Sequence, residues 1–215
     1  MKISKILFLT FWVVFTLTSG VFGQVPANIV LPAPDKTGGK PLMQALNDRS
    51  SAREFSEKEL SLQQLSDLLW SADGINRPES GKRTAPTARN YQDMSIYVFM
   101  RAGIYLYEPK AHTLIQVKAG NFLKATGTQD FVEKAALNLV YVSDLSKMGN
   151  TSDEHKPLYA GIHTGCIVQN VYLYCASQGL NTVTRASFST NELSGLLNTG
   201  PDKLIVLAQT VGFKP

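Results

Sequence analysis

Three runs rich in Ile, Val, Phe and Tyr, Ser95 to Met100, Gly103 to Tyr107 and His112 to Val117, are separated only by Arg101-Ala102 and by the turn Glu108 to Ala111. Runs of that composition between turn residues read as strands, and connections so short make them neighbours in an antiparallel meander. Such a sheet needs an apolar cover, and the flanking sequence supplies helices. Ser61-Leu62-Gln63-Gln64 is a capping box, Leu62, Leu65, Leu68, Leu69 and Ala72 follow at helical spacing, and Asp73-Gly74 ends the helix. Tyr159 to Gly179 reads as the longest helix, with Gly179 as its C-cap. Its Ala160, Gly161, Gly165, Cys166 and Ala176 leave small surfaces that another helix can approach closely, within a protomer or across a dimer axis. Short helical segments around Phe122-Leu123 and Gln129 to Ala136 precede an apolar run, Leu137 to Val142, suited to a central strand. Leu180 to Thr184 reads as a short strand, Thr190 to Leu197 as a helix capped by Thr190, and Lys203 to Val211 as the last strand. The class is α+β, a central mixed or antiparallel sheet flanked by helices.

At 215 residues the chain is long enough for one well-buried domain. Residues 1–23 are not expected to belong to it. Lys2 and Lys5 precede an apolar run from Ile6 to Leu17, and Val21-Phe22-Gly23 places small residues before Gln24, as in a cleaved secretory signal peptide. Residues 24–40, with Pro26, Pro32, Pro34, Gly38 and Gly39, read as a flexible tether. The domain then runs over 41–215. It opens with Pro41 at the first position of a helix whose apolar face is Leu42, Met43, Ala45 and Leu46. Ile75 to Asn90, with Pro78, Gly81 and Pro86, shows no periodicity and reads as a long loop, of the kind that is more often functional than idle.

Charge and cysteine content exclude several functions. Lys2 and Lys5 fall in the leader, which leaves 19 of the 21 basic residues against 17 acids and reduces the net charge from +4 to +2. That balance, with no basic stripe and no RNA-binding aromatic motif, argues against nucleic acid. Cys166 and Cys175 sit nine apart on one helix, about 900° of rotation and roughly 13 Å of rise, so they face opposite sides and read as small buried hydrophobes. His112, His155 and His163 form no metal-ligand spacing with them. His163 reads as a packed or interfacial histidine, and Tyr105 and Tyr107 as strand packing. Tyr91, beside the loop, reads as loop packing, with lining of a substrate pocket as the alternative.

The chemistry lies in Arg49-Ser50-Ser51-Ala52-Arg53-Glu54-Phe55 and in Arg83-Thr84-Ala85-Pro86-Thr87-Ala88-Arg89-Asn90. Two arginines four apart with two hydroxyls between them offer a guanidinium fork and neutral donors to one anionic group, as phosphate recognition requires. Spacing alone reads equally as two solvated residues after a helix. The collinear order decides between them. The Arg-x-Ser-x-Arg-x-Phe run is followed by the capped helix ending Ala72-Asp73-Gly74-Ile75-Asn76, and then by Ala85 to Asn90 before a strand. Gly103-Ile104-Tyr105-Leu106-Tyr107, the small-residue helix with Gln169-Asn170, Gly179-Leu180-Asn181-Thr182-Val183 and the terminal Val211-Gly212-Phe213 complete it. In this order the chain, over about residues 41–215, resembles the FMN-dependent nitroreductase-like superfamily, and particularly its branch related to azoline-oxidising SagB-type dehydrogenases.

The resemblance implies an intertwined homodimer with FMN at the interface, cradled by both subunits. On it, Arg49, Ser50, Ser51 and Arg53 hold the phosphate and ribityl chain. Pro86, Thr87, Ala88 and Asn90 come from the partner and lie along the ring. The backbone of Arg185, Ala186 and Ser187 faces the flavin near N5 and O4, an oxyanion-hole device. Two departures stand out: Ser50 occupies a place where many members carry a second arginine, and the chain ends Gly212-Phe213-Lys214-Pro215, leaving Lys214 or Arg185 to complete the phosphate site. The implied activity is hydride transfer from a donor such as NAD(P)H to a small aromatic or quinone-like acceptor, with no catalytic side chain and no metal. A second reading keeps the fold and loses tight FMN binding, as a noncatalytic or flavin-carrying envelope module. An azoline-type dehydrogenase acting on a peptide is a third, but the chain carries no dedicated peptide-recognition domain. The leader implies a periplasmic or extracellular protein.

Overall fold

The computed structural model describes residues 28–215; the signal-peptide reading of residues 1–23 lies outside the described residues. Nine strands and four α-helices occur among those residues: β1 (Ile29–Val30), α1 (Leu42–Asp48), α2 (Leu62–Asp73), β2 (Ile75–Arg77), β3 (Lys82–Arg83), β4 (Met94–Met100), β5 (Gly103–Glu108), β6 (Thr113–Ala119), β7 (Leu137–Asp144), α3 (Lys156–Gln178), β8 (Asn181–Arg185), α4 (Thr190–Leu197) and β9 (Lys203–Gly212). Seven strands form one sheet in the order β1-β6-β5-β4-β7-β9-β8. Every pairing in it is antiparallel, so of the two sheet types expected the antiparallel one is formed. The β4-β5-β6 meander pairs as expected, with Val98 opposite Tyr105 and Leu106 opposite Ile115. β7 lies inside the sheet, between β4 and β9.

Alternation along these strands builds a core on each face. Val98, Leu139 and Tyr141 pack beneath α2 and α3, against Leu65, Leu68, Leu69, Ile167, Val171 and Cys175. Their neighbours Phe99, Val140 and Val142 face the other way, against Leu123, Leu193, Leu197 and Ile205. The α2 capping box forms as read, with Ser61 Oγ accepting from Gln64 N and the Gln64 side chain accepting from Ser61 N. α3 ends at Gly179, whose φ of 71° is the left-handed cap that glycine adopts without a Cβ penalty. The segments around 122–136 close as short 3-10 turns, Leu123–Thr126 and Asp130–Val132.

Three local readings are corrected. Residues 28–40 do not wander. β1 pairs with β6, Leu31 is buried, and Asp35 N and Lys40 N donate to Asp67 Oδ1 (2.8 Å) and Ser177 Oγ (2.7 Å). Prolines that looked like linker residues suit an edge segment, where a missing N–H costs no ladder bond. The 75–90 loop contains a small hairpin of β2 and β3 and a 3-10 turn, Ala88–Asn90, too short for periodicity to register. α4 is capped by Ser189, which accepts from Glu192 N, one residue before Thr190.

α1 lies on α3 and buries only Ala45, leaving Leu42, Met43 and Leu46 exposed. α3 likewise exposes Leu158 and Ile162 beside open Gly161 and Gly165.

Candidate functional site

After α1 the chain runs extended along β8, where Ala52 N donates to Thr182 O at 3.0 Å. This pins the arginine-serine run against Tyr172 of α3. Ser51 Oγ lies 2.8 Å from Tyr172 OH, which also accepts from Thr184 N at 3.1 Å, and the Arg49 guanidinium sits 5.4 Å from the Tyr172 ring centre. Ser50 opens into a cleft of about 300 Å³ that Lys40, Asp48, Asn181, Thr182 and Lys214 also line. Lys40 Nζ donates to Asp48 Oδ2 at 2.7 Å. That bond, then Asn47 and, at longer range, Lys214, holds the Asp48 carboxyl below the usual carboxylate range. Two ammonium groups, a hydroxyl and a carboxamide line this polar cleft, but Lys40 is paired with the Asp48 carboxylate and Asn181 Nδ2 donates to Glu54 O at 2.7 Å, so Lys214 and Ser50 are the groups best placed to meet a phosphomonoester. Ser50 and Lys214 line this one cleft. Lys40 was missed, because it lies in the stretch read as tether.

Arg53 faces a different hollow, with Phe55, Phe131, Lys134 and Pro215. Arg185 goes elsewhere again. Its side chain is 6% exposed and turned into the core, where Nε donates to Thr210 Oγ1 (3.0 Å), Nη2 to Asn138 Oδ1 (2.7 Å) and Nη1 to Thr126 O. Burial without a carboxylate partner lowers its pKa to about 10. With its donors spent inward, the side chain is not presented to the cleft of Ser50 and Lys214, contrary to its expected compensating role; only its backbone remains beside the exposed Ala186 and Ser187. The turn is tied down by Thr128, whose N donates to Ser187 O at 3.0 Å and whose Oγ1 lies 2.8 Å from Ser187 Oγ.

Pro86, Thr87, Ala88 and Asn90 do not line the cleft of Ser50 and Lys214 within one chain. Their loop is fastened to the first half of α3, where Ala88 N donates to His163 Nε2 at 2.8 Å. His163 Nδ1 is 2.7 Å from Asp93 Oδ1, and Ser143 Oγ donates to Asp93 Oδ2 at 2.6 Å. His163 is thus packed, as read, but a lone histidine in a helix gave no sign of its two partners. Nearby, Asp73 ends α2 in an ion pair with Arg83. Burial pushes its carboxyl up from 3.8 to about 7, with Arg83 opposing that shift.

Residues 46–213 match the Nitroreductase family, and the chain belongs to that family. A crystal structure of a provisionally named nitroreductase from Ralstonia eutropha JMP134 is 37% identical, with a TM-score of 0.83, over 90% of this chain and 96% of that one. A provisionally named nitroreductase of Methanocaldococcus jannaschii is 29% identical over 176 residues, 77% of this chain and 88% of its own length. A Staphylococcus epidermidis protein provisionally named NAD(P)H:FMN oxidoreductase shares the fold, at 14% identity and a TM-score of 0.62, over 85% of this chain and 91% of that one. Family and fold make the protein a nitroreductase-like oxidoreductase.

Proposed function

We propose that the protein is an FMN-dependent oxidoreductase that works as a homodimer, taking electrons from NAD(P)H and passing them to an electron-poor aromatic or quinone. The observation that carries this reading is the cleft in which Ser50, Lys40, Lys214, Asn181 and Thr182 meet. Lys214 meets the phosphate there, Lys40 adds the part of its charge that Asp48 does not take, and Ser50 supplies a neutral donor. Arg49, Ser51 and Tyr172 continue the site along α3. When bound, FMN supplies the two-electron chemistry through N5; the protein positions it and keeps water away. Lys214 weighs against the envelope module with weakened FMN binding, since it supplies a charge where Ser50 has none, while Lys40 is shared with Asp48.

The dimer is supported by the apolar side chains of α1 and α3 left in water, Leu42, Met43, Leu46, Leu158 and Ile162, which a second copy would cover. It would also bring the 86–90 loop of one subunit to the cleft of the other. Export to the periplasm or beyond, and kinship with the SagB-type branch, are part of the same proposal and rest on the leader and motif order. Steady-state kinetics with NADH or NADPH and a nitroaromatic or quinone test it. Parallel double-reciprocal lines are expected from the FMN-loaded protein, whereas equal turnover from protein stripped of FMN would defeat the reading.

A further inference from the structure

Three non-glycine residues within four positions, Arg89 at φ 49°, Asn90 at φ 57° and Gln92 at φ 46°, adopt left-handed backbone. Side chains with a Cβ disfavour that region, so such a turn persists only where its surroundings over-determine it, and clusters of this kind mark sites whose shape matters. The turn is closed on itself by Asn90 N donating to Thr87 O (3.1 Å), Tyr91 N to Ala88 O (3.0 Å) and Gln92 N to Thr87 Oγ1 (3.1 Å). Its far end is fastened to the body by Tyr91 OH, 2.9 Å from Thr151 Oγ1, and by Lys147 Nζ, which donates to Gln92 O at 3.1 Å. At its near end Thr84 N donates to Gly74 O at 2.9 Å, and within the turn itself Ala88 N donates to His163 Nε2 at 2.8 Å.

That bond dictates the state of the ring. An amide N–H can be donated only to a bare nitrogen, so the imidazole proton sits on Nδ1 and is given to Asp93 Oδ1, 2.7 Å away. Asp93 is held in turn by the Ser143 hydroxyl, which donates to its carboxylate, and by Asp144 N, which donates to its backbone carbonyl at 2.8 Å. Tyr159 stacks on the ring, centroids 6.0 Å apart, and His163 and Asp93 are 2% and 0% exposed. A rigid line therefore runs from β7 through a carboxylate and a neutral imidazole to one backbone amide. That amide belongs to the loop which the flavin reading sets against the ring.

We infer that Asp93 and His163 are a positioning pair for the cofactor: they fix the tautomer that accepts from Ala88 and so hold the Thr87–Asn90 turn in the one shape that receives a flavin. The inference rests on the flavin reading above. His163 touches neither cofactor nor substrate; it acts through the loop.

Two polar substitutions divide the ring into its two ends. The carboxamide of His163→Gln reaches the place of Nε2 and can accept from Ala88, whereas that of His163→Asn reaches the place of Nδ1 and serves only Asp93. FMN affinity, read by quenching of flavin fluorescence on titration with the apoprotein, should fall roughly tenfold in His163→Asn and stay within about twofold in His163→Gln. Equal losses in both variants, or the opposite order, would overturn the inference. Amide hydrogen exchange of Ala88 in the flavin-free protein separates this outcome from failure of the flavin reading. Protection in the wild type and His163→Gln, lost in His163→Asn, upholds the pair even if the wild type takes up no FMN. An Ala88 amide equally exposed in all three proteins removes it.

Discussion

Arg185 is the residue on which a reading from sequence and the geometry part most sharply, and replacing it by methionine separates them. Methionine keeps much of the length and the apolar stem and removes the guanidinium. Thr126 O, Thr126 Oγ1, Asn138 Oδ1 and Thr210 Oγ1 then lose their donor. Asn138 Oδ1 keeps a hydrogen bond from Thr210 Oγ1 at 2.6 Å, so Thr126 O bears most of the loss. Bonds from a charged donor contribute about 1.5–3 kcal/mol each, and relief from burying an unpaired cation offsets part of that sum. The net loss should be about 2–4 kcal/mol. For a chain of this length that is a fall of roughly 4–16 °C in the midpoint of thermal unfolding. Urea unfolding with an unchanged m-value would confirm that the native state is what weakened. In the same protein, FMN affinity should change by less than about threefold. Unaltered stability combined with a tenfold or greater loss of FMN affinity would refute the reasoning, since it would mean that the guanidinium serves the phosphate.

The remaining predictions concern neighbouring groups. Lys40→Gln should weaken FMN binding by about 1–2 kcal/mol and leave riboflavin binding unchanged, because riboflavin lacks the phosphate; equal losses for both ligands would place Lys40 away from the phosphate. Asp73 has a folded pKa raised from 3.8 to about 7, so the folded state keeps a proton that the unfolded chain gives up. Its contribution to stability is full below about pH 4 and declines toward pH 7 by up to about 1.4 kcal/mol per pH unit. Asp73→Asn should flatten that decline, and stability profiles of equal slope in both proteins would contradict it. A Cβ at Gly127 would lie 2.0 Å from Arg185 Nη1, so Gly127→Ala should cost about 1–3 kcal/mol by urea denaturation, and a neutral effect would mean that the arginine is not locked there.

What was legible in the sequence follows the range of the interactions involved. The α2 helix was readable from end to end because each end is set locally, the start by Ser61 with Gln64 and the stop by Gly74, whose N–H donates to Trp70 O. The meander and the long helix were readable for the same reason: alternation and a glycine cap are local signals. Ser50 and Lys214 could be placed at one site only through the resemblance, since 164 positions separate them. Lys40, the inward turn of Arg185 and the Asp93–His163–Ala88 line depend on contacts between distant segments. Thr126, Asn138 and Thr210 around Arg185 are ordinary residues in the chain and become an arginine cage only when β7, β8 and β9 pair and the Leu123–Thr126 turn packs beside them. The docking of residues 28–40 was hidden by composition, since prolines and glycines mark an edge segment as readily as a linker.

The claim at the centre of this account is that the fold holds FMN. The most direct measurement is an absorbance spectrum from 300 to 550 nm of the purified protein from Gln24 onward, mixed with FMN and then desalted. Flavin bands that stay with the protein, at about one FMN per chain and with far less riboflavin retained under the same treatment, are the expected result. A colourless protein after desalting, with its fold intact by circular dichroism, would contradict the account.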